Sequence, residues 1–137
     1  MRPTAPQPQE VTVRRVSLAA IGLLLVFATP TLAQDATVVD RGHYTVEFEN
    51  DQVRVIRISY GPGEKSVMHE HPDAVAVMLS GGTMRMHFPD GTAEDLESND
   101  GDANWASAVT HLPENIGDGR VEVILVEFKP APEEGCM

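Results

Sequence analysis

An all-β barrel or sandwich of antiparallel sheets is the fold this sequence predicts. Three observations point to it. Apolar residues recur in short runs with a period near two, the spacing that puts alternate side chains on one face of a strand. Turn residues interrupt those runs at short intervals, among them Gly61-Pro62-Gly63, Pro89-Asp90-Gly91 and Gly117-Asp118-Gly119. Past residue 33, no window of about eleven residues carries a helical period.

The first 33 residues read as an address, not as fold. Arg14 and Arg15 supply a positive stretch, and Val16 to Ala28 is an uncharged apolar run. The run is too short to span a bilayer and suits a signal-peptide core. Thr31-Leu32-Ala33 places small residues for cleavage after Ala33. The expectation is a signal peptide at 1–33, and hence a periplasmic or secreted protein with no membrane attachment after cleavage. Residues 34–42 are polar and expected to be loose.

The strands follow in order. His43 to Glu49 alternates Tyr44, Val46 and Phe48 with polar neighbours. Val53 to Tyr60 is β-branched and aromatic, and its alternation slips at Val55-Ile56, as at a bulge. Ser66 to His71 is a short strand. Val75 to Leu79 is continuously apolar, the pattern of a strand buried on both faces. Thr83 to Phe88 puts Met84, Met86 and Phe88 on one face and Thr83, Arg85 and His87 on the other. Thr92 to Leu96, Ala103 to Trp105 and Thr110 to Leu112 are short, the last ended by Pro113. Val121 to Phe128 is the strongest strand and Lys129-Pro130 ends it. Residues 43–129 make one barrel and 130–137 a tail.

Charge excludes some partners. The chain carries 10 Lys+Arg against 21 Asp+Glu. Residues 1–33 hold three Arg and one Glu, so the remainder has 7 basic against 20 acidic residues, a formal charge of −13. Such a surface repels nucleic acid and anionic lipid. Cys136 is the one cysteine. No intramolecular disulfide is available, and the core must carry stability alone. No nucleophile elbow, Cys–His pair or phosphate-cradling glycine loop occurs.

Histidine spacing carries the chemistry. His69 and His71 sit at i and i+2, on one face of a strand. His111 follows about forty residues later and can arrive from a neighbouring strand. Neutral imidazoles at such spacing suit Zn, Cu, Fe and Ni. Glu70, between the pair, should face away. Asp73 is either a solvated turn carboxylate or an acceptor for a ligand histidine's second N–H. Asn115 reads as a turn cap and His87 as a surface histidine. His43 begins a strand without an evident partner. Val75, Val77, Leu79, Met84, Met86 and Phe88 are expected to line the interior, with Trp105 at the mouth of the pocket. Arg57 and Arg85 could hold a substrate carboxylate, but both fall on outward positions.

These residues resemble the cupin family. Its first motif, G-x5-H-x-H-x3-4-E-x6-G, is matched in spacing by Gly63, His69, His71, Val75 and Gly82. Its second, G-x5-P-x-G-x2-H-x3-N, is matched at its ends by Gly101, His111 and Asn115. The Gly-to-His interval is one residue short, and Ser107 and Val109 stand near the motif's Pro and Gly. Val75 replaces the metal-binding glutamate, and Ala74 and Ala76 cannot coordinate. The resemblance implies a double-stranded β-helix (cupin, jelly-roll) barrel and one divalent metal ion (Fe, Zn, Mn, Ni or Cu) on His69, His71 and His111. It also implies pairing of two copies through outer strands, as many small cupins do. Relatives with three histidines on ferrous iron are thiol and diketone-cleaving dioxygenases. The expected function is therefore an exported metal-dependent protein acting on a small organic molecule. The alternatives are a non-catalytic module that binds a small ligand or metal, and a barrel that has lost its metal.

Overall fold

The computed structural model describes residues 34–131. The signal peptide expected at 1–33 and Cys136 in the tail lie outside the described residues. Those residues form a short helix and nine strands: α1 (Ala36–Val39), β1 (Tyr44–Glu49), β2 (Val53–Tyr60), β3 (His69–His71), β4 (Ala74–Ser80), β5 (Gly82–His87), β6 (Ala93–Ser98), β7 (Ala103–Ala106), β8 (Val109–Asn115) and β9 (Val121–Phe128). Every strand expected from the sequence is present.

The strands make two antiparallel sheets, a five-stranded one in the order β1-β2-β9-β4-β7 and a four-stranded one in the order β3-β8-β5-β6. β9 lies at the centre of the larger sheet, flanked by β2 and β4, which suits its apolar run Val123 to Val126. Ile56, Ile58 and Tyr60 on β2, Ala74 and Met78 on β4, Met84 on β5, and Val121 and Leu125 on β9 make the core.

The slip at Val55-Ile56 is a real irregularity, but the extra residue is on the partner strand. Val46 pairs with Ile56 and Phe48 with Val55, so Glu47 bulges out of β1. β8 runs through Pro113 to Asn115. Proline removes one ladder donor, yet its carbonyl still accepts from the Ser66 N–H at 2.9 Å.

β4 departs from the sequence expectation. Ala74, Ala76 and Met78 face the interior, while Val75 and Val77 take the outer face and Leu79 is exposed. The run is apolar on both sides, so periodicity could not reveal which parity points inward. Pairing with β9 decides it: Ala76 lies opposite Leu125 and Met78 opposite Val123. Residues 34–42, expected to be loose, are tied down instead. Asp35 caps α1 by accepting from the Thr37 N–H at 2.8 Å, Ala36 is buried, and the Gln34 carbonyl accepts from the Glu70 N–H at 2.9 Å.

Candidate metal centre

β3 is only three residues long, and both its histidines point inward while Glu70 is exposed. β3 pairs with β8 so that His69 lies directly opposite His111. The pairing register thus supplies the third imidazole. Ring centroids are 4.7 Å apart for His69–His71, 5.1 Å for His69–His111 and 5.5 Å for His71–His111. One ligand nitrogen from each of the three lies within 4.8 Å of the others.

Hydrogen bonding fixes where the lone pairs point. His69 Nδ1 lies 2.8 Å from the Val67 carbonyl, and His71 Nδ1 lies 2.7 Å from Glu127 Oε1. Both oxygens only accept, so each Nδ1 carries the proton and each Nε2 presents a lone pair. The two Nε2 atoms are 3.0 Å apart. Two facing lone pairs at that distance repel unless a cation lies between them. A proton could serve two nitrogens, but there is a third: His111 Nε2 is buried with no hydrogen-bond partner among the described residues. Buried polar atoms are rarely left so. Three buried nitrogens of neutral imidazoles fit a divalent ion. Burial, then the neighbouring imidazoles, pushes His69 down to about 4 and His111 down to about 3. Both are neutral at pH 7, the state a metal requires.

Glu127 was not legible as a site residue. It is 2 % exposed and opposite Ala74 in the β4–β9 ladder. Oε1 accepts from His71, while Oε2 accepts from Arg54 Nε at 2.8 Å. Arg54 also pairs with Asp35 beside α1. Because Glu127 binds Nδ1, it stands on the far side of the His71 ring from the cluster. It orients a ligand rather than replacing the missing motif glutamate. A charged residue at an inward position of β9 was the available signal. Tyr44 was likewise not singled out. Its hydroxyl donates to His69 Nε2 at 3.1 Å and lies 2.6 Å from the Tyr60 hydroxyl.

Beside the histidines is a cavity of about 540 Å³. Met84 and Met86 line it as expected. Trp105 borders it on the edge strand β7, but it pairs with Val75 and its ring stacks on Phe128 on the outer face. Val75 and Val77 do not line it, and Ala74, Ala76 and Met78 hold their places. The remaining candidates have structural partners. Asp73 Oδ1 accepts from the Ala108 N–H at 2.8 Å, so it holds the turn before β8 and no histidine. Asn115 is fully buried, donating to the Tyr60 and Gly119 carbonyls and accepting from the Gly117 N–H. His87 pairs with Glu114, and His43 with Asp40 while stacking on Tyr60. Arg57 and Arg85 face outward in ion pairs with Glu47, Glu122 and Asp95.

Two antiparallel sheets enclosing three inward histidines and an apolar cavity define a small double-stranded β-helix barrel with a candidate divalent-metal site. Comparison of the sequence with family models and with curated proteins finds no match. The fold is similar to a cupin domain of Bordetella pertussis Tohama I, with a TM-score of 0.59, 25 % identity and coverage of 64 % of this chain and 92 % of that one. It is also similar to a protein with a double-stranded β-helix domain from Klebsiella pneumoniae subsp. pneumoniae MGH 78578, with a TM-score of 0.50, 24 % identity and coverage of 66 % and 82 %. The chain belongs to the cupin superfamily.

Proposed function

We propose that this chain binds one divalent metal ion (Fe, Zn, Mn, Ni or Cu) through His69, His71 and His111 and acts on a small organic molecule in the adjoining cavity, with dioxygenase-type chemistry as the reaction class. The observation that carries the metal reading is the pair of Nε2 lone pairs 3.0 Å apart beside the unpartnered Nε2 of His111. A divalent ion on three neutral imidazoles keeps its full charge and offers open positions to water, an anion or O₂. The protein's part is to hold the rings: Val67 fixes His69, Glu127 fixes His71, and the β3–β8 register brings in His111. Export to the periplasm, or secretion, belongs to the same reading and is supported by the sequence of residues 1–33. Pairing of two copies is supported by the apolar outer face of the larger sheet, where Trp105 and Phe128 stack and remain exposed.

A second reading, a non-catalytic binder of a small ligand or metal, is favoured by the alanines at Ala74 and Ala76, where no carboxylate can reach an ion. Metal content of protein purified from its own compartment tests the shared premise. Near-stoichiometric metal is expected in the natural protein and almost none after His→Ala at all three positions; a metal-free natural protein overturns it. Oxygen uptake by iron-loaded protein, screened over thiols and diketones, separates the enzyme from the binder.

A further inference from the structure

The walls of the cavity and the arginines of the barrel tell a consistent story about charge. Ile58, Met78, Met84, Met86, Val123 and Leu125 face the space. Among the described residues no Lys or Arg lines it. Leu96 lines it from β6, while Glu97 pairs with Thr83 on the face opposite Met84 and is exposed. Arg54, Arg57 and Arg85 are each committed to carboxylates of the protein itself. A ligand carboxylate set against these walls, out of reach of the ion, would therefore lose its water and gain no cationic partner, a costly exchange.

The polar end of the cavity is different. Tyr44 and Tyr60 are buried there, with hydroxyls 2.6 Å apart. With Nδ1 of His69 protonated, its Nε2 can only accept, so the Tyr44 O–H donates to it and the Tyr60 O–H donates to Tyr44. Once the Nε2 lone pair is given to an ion, the Tyr44 proton loses that acceptor. It is then a directed donor at the rim of the ion's open positions.

We infer that the cavity takes an uncharged apolar organic molecule by a single oxygen or sulfur anchor, held between the three histidines and the Tyr44 hydroxyl. This rests on the metal reading above. A volume of about 540 Å³ suits a small organic ligand. The methionines adapt to an irregular apolar tail. Thiols whose tail ends in a carboxylate too distant to reach the ion are excluded by the same walls.

The test uses purified protein loaded with cobalt(II) and two thiols of matched length, butanethiol and 3-mercaptopropionate. Each binds as the thiolate, its proton passing to buffer, and is read by the sulfur-to-cobalt absorption band. Butanethiol is expected to bind more than about tenfold tighter, since the carboxylate tail has no partner. Tyr44→Phe is expected to take up cobalt normally and to bind butanethiol about tenfold more weakly, the loss of one hydrogen bond to a charged acceptor. Equal affinity for the two thiols, or tighter binding of 3-mercaptopropionate, overturns the ligand class. An unchanged Tyr44→Phe affinity overturns the role of the hydroxyl. Should that variant fail to fold, Met86→Arg replaces it: a cation on the wall is expected to reverse the preference towards 3-mercaptopropionate, and an unreversed preference counts against the inference. Failure of the natural protein to take up cobalt is a different result, and it sinks the metal reading instead.

Discussion

His71 is held at both ends of its ring. Nε2 faces His69 and Nδ1 is locked to Glu127, which Arg54 holds in turn. The carboxylate fixes the tautomer and raises the basicity of the coordinating nitrogen, and losing such a partner typically costs about 10–100-fold in metal affinity. Glu127→Ala is expected to weaken metal binding by about that factor in a chelator competition. Glu127→Gln, which can still accept from Nδ1, should lose less. Equal affinities in all three proteins would remove Glu127 from the site. Alanine also leaves Arg54 half-paired and the His71 N–H without an acceptor, which should cost about 1–3 kcal/mol of stability.

Among the elements, β5 shows why a motif glycine is where it is. A Cβ on Gly82 would lie 2.8 Å from Cγ2 of the buried Val121. The two sheets approach too closely there for a side chain. Gly82→Ala is expected to cost about 1–3 kcal/mol in denaturant unfolding, the usual penalty of overpacking a filled core. A loss below a few tenths would mean that β5 can shift outward freely. Gly63 serves a separate need: its φ of +75° is in the left-handed region that favours glycine. The three-residue β3 depends on its register with β8, beside the bond from the Glu70 N–H to Gln34. A slip of one residue against β8 would turn His69 and His71 outwards and separate both from His111.

For the molecule as a whole, the cluster makes stability depend on pH. In the unfolded chain His69 and His111 should titrate near the ordinary value of about 6.5. In the folded, metal-free protein burial pushes them to about 4 and about 3. From pH 6.5 down to those values the unfolded state binds more protons than the folded one, so stability must fall as pH falls. Below about 3 these two groups contribute no further loss. Thermal unfolding of metal-free protein between pH 7 and 4 is expected to show the decline, and His111→Ala should flatten it. An identical slope in the variant would mean that His111 is not held neutral by the fold.

Much of this was legible in order along the chain. Period-two alternation, one continuous apolar run and the turn residues between them located the strands, and the i, i+2 histidines with Gly63 and Gly82 pointed to the barrel and to His69, His71 and His111. These are local properties: strand sterics impose the alternation, and two ligands two residues apart share a face whatever surrounds them. Other features depend on residues distant in sequence. The inward parity of β4 comes from its ladder with β9, because an all-apolar run has no period of its own. The docking of residues 34–42 comes from one buried alanine and bonds to Arg54 and Glu70. Glu127 and Tyr44 reach the histidines across 56 and 25 positions of sequence. The sequence by itself determined which residues could bind a metal. Only the tertiary structure decided which groups hold those residues in place and what lies beside them, because hydrogen bonds and cavity walls are made by chain segments that meet only on folding.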